Sequence, residues 1–125
     1  MRRVGATEWV RTPTHGGDME RAVAVSRDTV GSDGIYAAVV TTAPEGSTRR
    51  HHHGNCETVI YVLEGRAEFS WGPTGLEHAL DAAVGDFVHI PAGEVHVERN
   101  PSTIDNLVVL VCRNCPDAVT IYVDD

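Results

Sequence analysis

The sequence predicts an all-β domain, a sandwich or barrel of short strands, on three observations. Short runs rich in Val, Ile, Thr, Tyr and Phe recur along the chain, and most are closed by Gly, Pro, Asn or Asp. No stretch keeps a helical period of apolar residues over about 11 residues, so any helix should be a short accessory. The chain of 125 residues is 42% apolar and 22% charged, enough for one core and inconsistent with disorder. One domain spanning residues 1–125 is expected.

Residues 1–20 contain Thr12-Pro13-Thr14 and Gly16-Gly17 and read as an arm leading into the strands of residues 21–125. In small β proteins such an arm pairs with a neighbouring subunit and covers a sheet edge, so a homodimer is expected. Ala22 to Val25 form the first strand, because Met19 to Arg27 is centred on Ala-Val-Ala-Val. Ile35 to Thr42, Thr58 to Leu63 and Arg66 to Trp71 follow, the last two joined at Glu64-Gly65. Glu77 to Val84, Asp86 to Ile90 and Glu94 to Glu98 are separated by the turns Val84-Gly85-Asp86 and Pro91-Ala92-Gly93. Leu107 to Cys112 and Ala118 to Val123 complete the set.

Ten basic residues face eighteen acidic ones, a net charge of -8. All ten are Arg, which excludes Schiff-base chemistry and a P-loop lysine. The acidic balance argues against nucleic acid and anionic membrane surfaces as partners, since both need clustered positive charge. Val4 to Trp9 includes Gly5, Thr7 and Glu8 and offers no apolar core for a leader peptide. The apolar run Leu107 to Cys112 is far too short to span a bilayer. A cytoplasmic location is therefore expected, and with it three reduced cysteines, Cys56, Cys112 and Cys115. Cys112-Arg-Asn-Cys115 lacks a second ligand pair nearby and reads as two thiols at a strand end.

The densest chemical signal runs from Gly46 to Gly65 and contains His51-His52-His53 and Glu57. Imidazoles at i and i+2 of an extended chain share a face, so His51 and His53 can hold one ion while His52 faces away. The bland alternative is a solvated polar loop. A second segment, Gly85 to Asn100, places Gly85, Pro91, Gly93, His96 and Asn100 at intervals of six, two, three and four. With these residues the sequence resembles a small single-domain member of the cupin superfamily, whose second motif has that spacing. The family's first motif is matched less closely. Four residues rather than five separate Gly46 from His51, and seven rather than six separate Glu57 from Gly65.

The resemblance implies a jelly-roll β-barrel with one divalent transition metal ion in its mouth (Fe, Mn, Ni, Co, Cu or Zn), held by His51, His53, Glu57 and His96. The offset at Glu57 matters, because one extra residue flips the facing along a strand. At the usual count the inward residue is Thr58, and Cys56 shares its facing. A bulge could restore Glu57 to the inside, or it could reach the ion from the loop before the strand begins; three histidines with Cys56 nearby are the rival site. Glu57 is also the candidate proton carrier. Pro91 and Gly93 would shape the turn delivering His96, and Asn100 would secure the next strand. His89 is expected on the outer face, His15 and His78 in exposed positions. Tyr36, Tyr61, Trp71 and Phe87 suit core packing as well as substrate contact, and Arg49 suits either the surface or a carboxylate at the mouth.

The implied function is a metal-dependent enzyme acting on a small polar substrate through its oxygen atoms, of oxygenase, isomerase, decarboxylase or lyase type. The alternatives are a noncatalytic small-molecule-binding cupin with a structural metal, and an accessory cupin that works with a partner protein. Fold does not choose among them.

Overall fold

A computed structural model describes residues 1–123 of the chain. Eleven strands occur in it: β1 (Val10–Thr14), β2 (Met19–Val25), β3 (Tyr36–Thr42), β4 (His51–His52), β5 (Thr58–Glu64), β6 (Arg66–Trp71), β7 (His78–Ala83), β8 (Phe87–Ile90), β9 (His96–Arg99), β10 (Leu107–Arg113) and β11 (Ile121–Tyr122). They form two antiparallel sheets, of order β1-β2-β3-β10-β5-β8 and β11-β4-β9-β6-β7. The all-β expectation holds, with one refinement: the two sheets pack as a jelly roll without closing into a barrel.

Alternation explains which residues face inward. Along β3 and β10 every second side chain is buried, and the same holds for the first five residues of β5. Met19, Val40, Ile60, Val62, Ala67, Phe69, Val88, Leu107, Val109 and Val111 belong to one core. Val62, Ala67 and Leu107 expose no surface. Fully burying a side chain of Val or Leu size stabilises by roughly 1.5–3 kcal/mol, so this layer holds the sheets face to face.

The only α-helix among the described residues, α1 (Arg27–Val30), is the short accessory expected. Its start is closed by Ser26, whose Oγ accepts from the Thr29 N–H at 3.2 Å while Thr29 Oγ1 accepts from the Ser26 N–H at 2.8 Å. Gly31 ends it at φ 73°. Gly65 serves the β5–β6 hairpin for two reasons: its φ is 79°, and a Cβ there would lie 2.6 Å from the Asn106 carbonyl oxygen.

The segment read as an arm carries a strand of its own. β1 pairs with β2 from Val10↔Val23 to Thr14↔Met19, an intrachain partner for those residues. Asn100 is buried, and its Nδ2 donates to the carbonyls of Thr42 (3.1 Å), Ala43 (3.2 Å) and Asp105 (2.8 Å). It thus ties the end of β3 to the loop entering β10.

The expectation of three reduced cysteines is corrected for two of them: Cys56 and Cys115 form a disulfide, and Cys112 is free. β5 pairs with β10 through Thr58↔Arg113, which brings the residues just before β5 and just after β10 side by side. The Cα atoms of the two cysteines are 5.8 Å apart. Cys112, three residues before Cys115, sits on the strand beside Val59 and Ala37.

Candidate metal centre

His51 and His96 are direct partners in the β4–β9 pairing, and His53 follows on the face of His51. All three are buried. Their ring centroids are 4.4 Å (His51–His96), 4.9 Å (His51–His53) and 5.2 Å (His53–His96) apart. One ring nitrogen from each lies within 4.8 Å of those from the other two.

Each ring is anchored by Nδ1 to a backbone carbonyl: His51 to Arg49 O at 2.7 Å, His53 to Val119 O at 2.7 Å, and His96 to Glu94 O at 2.8 Å. A carbonyl only accepts, so each Nδ1 carries the proton and each Nε2 bears the lone pair, that of His53 lying 3.4 Å from Arg113 Nη2. Burial, with the neighbouring His96, pulls His51 down to about 3; burial, with the guanidinium of Arg113, does the same to His53. Burial also lowers His96. Three neutral imidazoles with carbonyl-fixed orientation form a donor set that could hold a divalent transition metal. His52 faces away, its Nδ1 accepting from the Gly54 N–H at 3.0 Å.

Glu57 is not brought to this group. Its carboxylate is exposed and bonded to His89 Nε2 at 2.8 Å, and its backbone N–H donates to Asn114 Oδ1 at 2.8 Å. The burial sequence Cys56 buried, Glu57 exposed, Thr58 buried gives the reason: the register shift of β5 against β10 falls at its far end, between Val62 and Glu64, so alternation runs unbroken past Glu57 and the inward position belongs to Thr58. Cys56 faces inward but is committed to Cys115. His89 lies on the outer face, as its facing implied.

The remaining residues singled out from the sequence divide clearly. His78 is exposed beside Trp71, whereas His15 is half-buried against His51 at 5.4 Å and lines the histidine cavity. Arg49 stacks on the Tyr122 ring at 4.3 Å. Tyr61 and Phe87 pack on each other with Phe87 70% exposed. Tyr36 is fully buried.

Three charged residues not singled out for the site join the histidines in a cavity of about 50 Å³: Glu98, Arg113 and Arg21. Glu98 shares the face of His96 two residues back along β9, so alternation alone could have found it. Burial pushes its carboxyl up to about 7, opposed by the charge of Arg113. Its Oε1 has no hydrogen-bond partner, and its backbone N–H donates to Thr48 Oγ1 at 3.0 Å. Arg113 continues the inward series Leu107, Val109, Val111 of β10. Its Nε donates to Thr58 Oγ1 at 3.2 Å, its Nη2 lies 3.4 Å from His53 Nε2, and its guanidinium sits over the Tyr36 ring at 5.2 Å.

Comparisons with known proteins agree with this architecture. The polyketide cyclase RemF from Streptomyces resistomycificus superposes with a TM-score of 0.80 at 24% identity, covering 100% of this chain and 87% of RemF. Oxalate decarboxylase from Lactobacillus farciminis, solved as a formate complex, gives 0.80 at 18% identity over 94% of this chain. Oxalate oxidase gives 0.76 at 18% identity over 90% of it. The chain spans only 34% of that decarboxylase and 58% of that oxidase. No curated protein sequence matches. The family model described as "Cupin domain" matches residues 38–112, a span that holds the three histidines and both glycine-bearing turns. On that match, and on the two-sheet fold around a buried histidine group, the chain belongs to the cupin domain family.

Proposed function

We propose that this cupin is a metal-dependent enzyme for a small substrate that binds through oxygen, with the ion held by His51, His53 and His96. The observation that carries the reading is the convergence of three neutral rings, each with Nδ1 spent on a carbonyl and Nε2 left for a ligand. A divalent ion bound there would supply Lewis acidity or a place for dioxygen. Glu57 stands outside this proposed ligand set. Glu98 supplies the carboxylate of the cavity, and Arg113, whose Nε is held by Thr58 Oγ1, supplies hydrogen-bond donors that orient a bound oxygen.

One observation favours the noncatalytic reading. The cavity beside the histidines holds only about 50 Å³, so a metal and one small group would fill it. Elemental analysis of untagged protein tests the shared premise. About one transition metal per chain is expected in the wild type. His96→Ala removes one of three donors and should weaken metal binding at least about 100-fold. Protein that folds metal-free after growth in metal-replete medium would sink both readings. A loaded protein whose metal takes no exogenous ligand would favour the structural role.

A further inference from the structure

We infer that the cavity is an oxyanion pocket in which Arg113 and Arg21 hold a carboxylate or enolate oxygen against the three histidines, so that anion and divalent metal bind with positive coupling. The inference rests on the reading that these histidines hold a metal, and goes beyond it to the chemical class of the second ligand.

Two half-buried arginines line the cavity without an ion-paired carboxylate. Neither Arg113 nor Arg21 takes part in an ion pair among the described residues, and Arg21 Nε is buried with no hydrogen-bond partner. Arg113 has five N–H donors, and its described side-chain acceptors are Thr58 Oγ1 and His53 Nε2. Buried cations are ordinarily paired, because desolvation is costly unless an anion compensates. Glu98 lines the same cavity and its charge acts on Arg113, but it makes no ion pair with either arginine among the described residues.

The contact between Arg113 and His53 sharpens the case. Because Nδ1 of His53 is committed to Val119 O, Arg113 donates to Nε2, the atom a metal would take. Metal binding would therefore cost Arg113 an acceptor and set a dication beside a half-buried cation. An oxyanion shared between the ion and Arg113 restores the acceptor and balances the charge. Even with Glu98 ionised, the cavity would otherwise hold excess positive charge.

Size fixes the kind of ligand. About 50 Å³ admits a carboxylate-sized group but no ring system. Arg21 also lines a second cleft, of about 540 Å³.

The test titrates Zn²⁺ into chelator-stripped full-length protein calorimetrically, in acetate or in its neutral analogue acetamide. In the wild type, acetate should tighten Zn²⁺ binding at least about tenfold relative to acetamide. Arg113→Met should bind Zn²⁺ as well as or better than the wild type in acetamide, because a repelling cation is gone. Its acetate effect should fall below about twofold, and Arg113→Lys should recover part of it. Arg21→Met provides a second reading if Arg113→Met does not fold, and should halve the acetate effect or more. Zn²⁺ binding that is equal in acetate and acetamide overturns the oxyanion pocket while leaving the metal site standing. An acetate effect unchanged in both methionine variants overturns the assignment to these arginines. Absence of Zn²⁺ binding in either medium overturns the metal reading itself, and the pocket with it.

Discussion

Replacing Glu98 by Gln preserves the shape of a side chain that is 6% exposed and removes its charge. Burial raises the Glu98 carboxyl from an ordinary 4.5 to about 7. Between those values the folded protein keeps a proton that the unfolded chain has already released. Wild-type stability from this group is therefore present below pH 4.5, falls as pH rises through 7, and stays reduced above it. A displacement of about 2.5 pH units at about 1.4 kcal/mol each sets a limit of about 3.5 kcal/mol, of which about 3 kcal/mol is reached at pH 8. Glutamine escapes it. The histidines act in the opposite direction, losing stability as pH falls from 6.5 toward about 3, because the unfolded chain binds the protons that the buried rings refuse. They are identical in both proteins and cancel in the difference. Urea unfolding in the presence of a chelator, from pH 4.5 to 8.5, should show the variant equal to the wild type at the acid end. At the alkaline end it should be about 2–3 kcal/mol more stable. A difference that does not change with pH, or a variant less stable at pH 8, would refute a low-dielectric site for this carboxylate.

Other substitutions probe the frame around the site. Glu57→Gln removes an exposed contact with His89, so it should leave metal content unchanged and cost no more than about 1 kcal/mol by thermal unfolding. Cys115→Ser opens a link across 59 residues and should cost about 2–4 kcal/mol in urea unfolding. It should also speed amide exchange at Ile121 and Tyr122, because that segment carries the Val119 carbonyl holding His53. Asn100→Ala leaves three carbonyls without their donor and should cost about 2–4 kcal/mol by the same measure.

Local pattern alone determined the strand content of this protein, the shared facing of His51 and His53, and the turns around Gly65 and Gly93, because period-two alternation and backbone freedom are properties of neighbouring residues. The two-residue step from His96 to Glu98 was equally legible, whereas the glycine-spaced motif points to Glu57 instead. What a few residues cannot encode is which strands meet. The pairing of β4 with β9 sets His96 against His51, and the pairing of β5 with β10 joins Cys56 to Cys115 and lays Arg113 beside Thr58. The unbroken alternation from Cys56 to Val62 settled the fate of Glu57, since the register shift of β5 comes only between Val62 and Glu64 and leaves Thr58 pointing inward. The sequence thus named the histidines and their chemistry. Long-range register, governed by burial across both sheets, decided which carboxylate and which guanidinium groups keep them company.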